Sequence, residues 1–211
     1  MSATRCAPQS LVTRDLSLPR IALSNFYFLL FTLLVASVVF LRAINVGGAN
    51  RCKPADLARQ LNTFDVVNIG AVGTFVVRKD VSDSTLRSAI AKRLPFKCEI
   101  MIVPARAIIK LASKDPFVGQ PGGAEITRFV SVLHKPLPSS HVTRYSSLSL
   151  PSDDDWLLKI IAIQDQFVVG LYRRQMKAIG YLGKIEKILG VPGTVRNWNT
   201  IEKVMKILSK G

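Results

Sequence analysis

From Ile21 to Leu41 the chain runs for 21 residues without a charged side chain, and it breaks at Arg42. Such a run has to leave water, so it restricts the fold more than any other feature. It can enter lipid, where about 20 apolar residues span the hydrocarbon core as a helix, or it can enter a globular interior. The densest part, NFYFLLFTLLVASVVFL, suits the first route. Arg14 and Arg20 ahead of it, with Ala36 and Ser37 near its end, also give it the shape of a secretory leader. Its flanks do not orient it in a membrane, because Arg5, Arg14 and Arg20 precede it while Arg42, Arg51, Lys53 and Arg59 follow.

The last third of the run points to the second route. SVVFLRAINV is rich in β-branched and aromatic residues and stops at Gly47-Gly48, the pattern of a buried strand from Ser37 to Val46. Only the 11 residues Phe26 to Ala36 then remain strongly apolar, too few for a span. Residues 1–36 become an extension: an added helix, a leader core, or translated upstream sequence from a misplaced start. The last of these needs an alternative start codon, because no methionine lies between Met1 and Met101.

The pattern beyond Gly48 decides for the strand. PADLARQLNTF places Pro54 in a first helical turn and repeats Leu57, Leu61 and Phe64 at helical spacing. DVVNIGAVGTFVVRK is two β-rich runs turning near Gly70 to Gly73. Ser82, Asp83 and Ser84 offer caps to a helix carrying Leu86, Ile90 and Leu94, and KCEIMIVPA is a strand. The order β-α-β-β-α-β over 37–104 predicts a ferredoxin-like plait. Residues 105–211 read as a second α+β, plait-like domain. It starts with a helix in ARAIIKLASKD and a strand in ITRFVSVLHKPL, followed by a Ser/Pro-rich connection. A hairpin turns at Gln164 to Gln166, a helix stops at Gly190, and a last helix is capped at Asn199. The expected fold is α+β: two packed plaits preceded by the apolar segment.

A 48% share of hydrophobic residues and a 20% share of charged ones suit such a globular chain and not a disordered one. The net charge of +15 favours anionic partners, such as nucleic acid, phosphorylated small molecules or acidic lipid. Cys6, Cys52 and Cys98 are odd in number and lack CxxC spacing, which argues against a disulfide framework or structural zinc and suits a reducing compartment. With only His134 and His141, a histidine metal cage is not expected, and the expectation is no metal and no cofactor.

Three stretches together, LRAINVGGANRCKPADLARQL, NIGAVGTFVV and TVRNWNTIEKVMKI, with DPF between them, resemble a bacterial family known as domain of unknown function 1697. The resemblance covers about Ser37 to Leu208. It implies paired ferredoxin-like plaits and brings no activity with it. Two departures stand out: the family's glycine after the arginine is Ala43 here, and its Ser-Gly-Asn is Val72-Gly73-Thr74. The second departure suggests that a polar role of that hairpin has been lost.

The candidate site is drawn from the turn around Gly47-Gly48 and from the RNW stretch. Arg42, Asn45, Gly47, Gly48, Asn50, Arg51 and Lys53 surround the start of a helix, where free N–H groups and the helix dipole suit phosphate or carboxylate. There is no GxGxxG and no Walker spacing, so a tight βα turn with solvated cations is the plainer reading. Arg196, Asn197 and Trp198 precede the last helix. Arg196 could grip an anion and Trp198 stack on a ring, against the plainer reading of a packing Trp with a satisfied Arg beside it. Asp153 to Asp155 read as an acidic turn. No catalytic motif completes itself.

The expected partner is a small anion or phosphorylated ligand in the cleft between the plaits of a cytoplasmic protein. The alternatives are a nucleic-acid-binding module or a protein held to a membrane through residues 21–41. RNA-binding plaits stack bases on aromatic residues of their central strands, and only Phe40 and Phe75 could serve here.

Overall fold

The computed structural model describes residues 35–45, 50–152 and 155–210. Within them Ser37–Leu41 forms β1, and Val38, Val39, Phe40 and Leu41 are all completely buried. A strand with no exposed position is apolar throughout because both of its faces are covered. The membrane reading of 21–41 therefore loses its last five residues to a sheet, and 21–34 lie outside the described residues. Among the described residues no helix is long and apolar enough to cross a membrane.

The first unit continues with α1 (Pro54–Gln60), a 3-10 turn (Asn62–Phe64), β2 (Val66–Ile69), β3 (Thr74–Val77), α2 (Asp83–Ala91) and β4 (Ile100–Pro104). Its sheet has the order β2-β3-β1-β4 with every pair antiparallel. Helix α3 (Ala105–Ala112) follows β4 without a loop. The second unit comprises β5 (Ile126–Leu133), α4 (Ser139–Tyr145), β6 (Ser149–Leu150), β7 (Leu158–Gln164), β8 (Phe167–Arg173), α5 (Met176–Leu189), β9 (Gly193–Asn197) and α6 (Trp198–Leu208). Its sheet has the order β6-β7-β8-β5-β9, again antiparallel. The result is a mixed α+β fold with two antiparallel sheets and, among the described residues, six α-helices.

Alternation along the strands divides the interior into three layers. Val38 and Phe40 of β1, Val130 and Val132 of β5, and Val169 and Leu171 of β8 meet in a central core with α3 and α6. Val39 and Leu41 face outward onto α1 and α2 through Leu57, Leu61, Leu86 and Ile90. Phe129 and Leu133 face outward onto α5 through Ile185 and Leu189. Gly170 makes this last layer possible: a Cβ there would lie 2.4 Å from the Lys159 carbonyl and 2.6 Å from the Phe129 ring.

Several local expectations change. Strand β1 ends at Leu41, not Val46, because Ala43 and Asn45 take left-handed backbone (φ 53° and 55°). The Ser/Pro-rich connection contains α4 and β6. The hairpin turns on two residues, since Gln164 pairs with Phe167. TVRN, taken as a lead-in to the last helix, is an edge strand paired with β5. The cap of α6 is Asn197, two residues before Asn199, and its side chain accepts from the Asn199 N–H at 2.9 Å.

Candidate functional site

Arg196 leaves β9 and crosses from the second sheet to the first. Its Nε donates to Thr74 Oγ1 (3.0 Å) and its Nη2 donates to the carbonyls of Leu41 (2.7 Å) and Val72 (2.8 Å). Its Nη1 donates to Thr194 Oγ1 (2.6 Å) and to the Val195 carbonyl (2.9 Å). A guanidinium has five N–H groups, and these are five acceptors. All are neutral, Phe40 lies 5.9 Å beneath the group, and the residue is only 6% exposed. Burial pushes its pKa down to about 10, so the group is charged at neutral pH. Arg196 thus has no N–H left for an outside anion, and it clasps the two sheets together.

The hairpin partner of this clasp is built for it. Gly73 has φ 70°, and a Cβ there would lie 2.5 Å from Ile44 Cδ1 and 2.9 Å from Leu41 Cβ. Close approach turns the carbonyl of Val72 and the hydroxyl of fully buried Thr74 toward Arg196. Within Val72-Gly73-Thr74, the Thr74 hydroxyl gives the hairpin a polar contact of its own.

Arg42 makes a second crossing. Its Nε and Nη2 donate to the two carboxylate oxygens of Glu186 on α5 (3.2 and 2.5 Å), and Glu99 lies 3.7 Å from Nη1. Hydrogen bonding to Glu186 raises its pKa above the ordinary arginine value; burial opposes this, and the charges of Glu186 and Glu99 assist. Arg42 is spent on carboxylates as Arg196 is spent on carbonyls.

Asn45 has a different task. Its Nδ2 donates to the carbonyls of Cys52 (2.8 Å) and Ala71 (2.9 Å), and its Oδ1 accepts from the Cys52 N–H (2.9 Å). These bonds tie the segment ahead of α1 to the β2–β3 turn. Asn50, also left-handed (φ 50°), donates to the Ala43 carbonyl at 3.3 Å. Gly47 and Gly48 lie outside the described residues. Two shallow clefts flank this segment: about 570 Å³ lined by Asn45, Arg51, Cys52 and Lys53, and about 330 Å³ lined by Arg42, Asn50, Lys97 and Glu99, among others.

The expected site therefore separates into parts. Arg196 is interior. Trp198 is 6% exposed and meets Phe117 edge-on at 4.9 Å, its plainer reading. Asn197 caps α6. Asn45, Arg51 and Lys53 share one cleft, while Arg42 and Asn50 share the next. A third cleft, of about 380 Å³, lies where α3 and α6 meet; it includes Arg128, Glu202 and Met205, and no local sequence pattern singles out Arg128.

Burial raises the thiol pKa of Cys52, with Asp56 assisting, and of Cys98, with Cys52 and Glu99 assisting, so both remain thiols at neutral pH. Among the described residues no group of three His, Cys, Asp or Glu could hold a metal ion. Asp155 is an exposed turn residue, and Asp153 and Asp154 lie outside the described residues.

Comparison with known proteins adds a fold and a family. The chain is similar to a solved structure described as that of the conserved bacterial protein SP0830 from Streptococcus pneumoniae. The TM-score is 0.57 and the identity 16%, over 82% of this chain and 98% of that one, so the fold is what they share. No curated protein matches the sequence. The family pattern described as "Protein of unknown function (DUF1697)" matches residues 35–156, from just ahead of β1 into the second unit. That is more than half of the chain, and the chain belongs to this family.

Proposed function

We propose that the protein is a binding module for a small anionic or phosphorylated ligand, held at the basic segment ahead of α1. The observation that carries the reading is the cleft of about 570 Å³ lined by Asn45, Arg51, Cys52 and Lys53. It brings two cationic side chains together, and none of its described lining residues is acidic. Asn45 fixes the backbone on which both cations stand. A fixed backbone presents both cations to one oxyanion with less entropy lost on binding than a mobile one would. Strand order supports the finer architectural reading: in each sheet β2-β3-β1-β4, or its counterpart β7-β8-β5-β9, corresponds to a ferredoxin-like plait, with β6 added to the second.

The test is thermal unfolding in phosphate, pyrophosphate and a panel of phosphorylated metabolites, against chloride at equal ionic strength. A ligand at 100 times its Kd adds about 2.7 kcal/mol of stability. The double variant Arg51→Gln/Lys53→Gln is expected to lose that gain. Equal melting in all anions sinks the proposal.

Nucleic-acid binding is the weaker reading. Phe40 and Phe75, the aromatic residues that could have stacked bases, are buried in the central and the first outer core. Of the nine cations after Tyr172, Arg196 is in the seam, Arg173 donates to the Trp156 carbonyl and Arg174 donates to Thr127. A gel shift with mixed RNA and DNA that falls steeply with salt, without any metabolite effect, would reverse this order.

A further inference from the structure

We infer that the cleft between α3 and α6 is a separate site for a small zwitterion with an apolar body, of the class of an α-amino acid with a large apolar side chain. The cleft lies at the rim of the central core, and its volume of about 380 Å³ falls in the range of small-molecule sites.

Strand β5 shows how the site arises. Val132 and Val130 point into the central core and are fully buried, and Arg128 is the next residue on the same face. At that position the core opens to water, and the Arg128 guanidinium lies 4.8 Å above the Phe117 ring. Phe117 in turn abuts Trp198 edge-on, so the cation rests on a rigid aromatic pair. A ring contact of this kind does not use up the five N–H donors of a guanidinium. Among the described residues the Arg128 side chain has no hydrogen bond or ion pair; the Phe117 ring is its one partner.

Two carboxylates line the same cleft. Glu202 follows Trp198 by four residues on α6, which puts both on one helix face, and it too has no ion pair among the described residues. Asp115 commits Oδ1 to the Phe117 N–H at 2.9 Å, which fixes its carboxylate. Ile201, Met205 and Trp198 supply its apolar lining. One cation and two carboxylates thus line a single cleft without pairing with each other. A ligand carboxylate on Arg128 and an ammonium on Glu202 or Asp115 would match both charges, with the apolar body against Ile201, Met205 and Trp198. A phosphate matches only Arg128 and is repelled by the carboxylates, so this site is independent of the anion cleft near α1.

The test is methyl and indole NMR on the full chain, following Met205 and Trp198 while L-phenylalanine, L-tryptophan, L-leucine and L-methionine are added up to roughly 10 mM. The half-ligands 2-phenylethylamine and 3-phenylpropionate are controls. At least one amino acid is expected to give a saturable shift, with L-phenylalanine at least about ten-fold tighter than either half-ligand. Arg128→Gln and Glu202→Gln sit on exposed positions and should fold normally, each weakening binding by about ten-fold. Arg51→Gln/Lys53→Gln should leave it unchanged. The inference is overturned by the absence of any saturable shift, by half-ligands as tight as the whole, or by charge variants that bind as the parent does.

Discussion

Two arginines cross the seam between the sheets, and they do so by opposite physical means. Arg196 is 6% exposed and gives all five N–H groups to neutral oxygens. The side chain of Arg42 is 37% exposed and faces two carboxylates, with Glu186 in hydrogen-bond contact. Coulomb attraction alone would rank Arg42 as the stronger link, since Arg196 has no counter-ion. The environment reverses the ranking. A half-exposed ion pair exchanges good hydration for a screened attraction and contributes on the order of 1 kcal/mol. A buried guanidinium that loses its acceptors leaves stranded polar groups on both sides, and that penalty is larger. Satisfaction of every donor, more than the presence of opposite charge, makes a seam cation matter.

The largest test of that comparison is Arg196→Met. It strands the carbonyls of Leu41 and Val72 and the hydroxyls of Thr74 and Thr194, and urea unfolding should show a loss of about 3–5 kcal/mol. Arg196→Lys, with three donors on a flexible stem, should fall between. A loss below roughly 1 kcal/mol for Arg196→Met would break the ranking.

Thr74→Val keeps the shape and removes one acceptor from a charged donor. The expected loss is about 1.5–3 kcal/mol, most of it regained in Thr74→Ser. Ala43→Gly should go the other way. Ala43 has φ 53°, where an L side chain crowds the following carbonyl, so glycine is expected to raise stability by about 1 kcal/mol. Glu186→Gln should have the smallest effect, about 1 kcal/mol, and the difference should shrink in 1 M salt for a half-exposed pair. A salt-independent loss would show that Arg42 acts more like Arg196 than its exposure implies.

Much of the first unit was legible because its signals are local. Pro54 opens α1, Ser82 caps α2, and β2 and β3 are β-rich runs around a glycine turn. The strand β9 was not, since TVRN is short, carries an arginine and an asparagine, and becomes a strand only by pairing with β5. Helix α4 was hidden by serines and prolines, which locally suggest a connection. The motif residues were legible as a group, while their roles were not. Arg196 has the same letter whether its fork faces solvent or five protein oxygens. Arg128 carries no local mark, and its place at the cleft depends on where Phe117 and Trp198 arrive from other elements.

The sequence by itself determined that the run ending at Leu41 must leave water, that apolar strands and amphipathic helices alternate, and that the chain is strongly basic. Those properties follow from side-chain chemistry and periodicity, which need only neighbours along the chain. Tertiary structure alone decided which cations are spent on the protein's own oxygens. Arg42 meets a carboxylate 144 positions away and Arg196 meets Leu41 at a separation of 155, and a guanidinium is a clasp or a receptor according to which oxygens surround it.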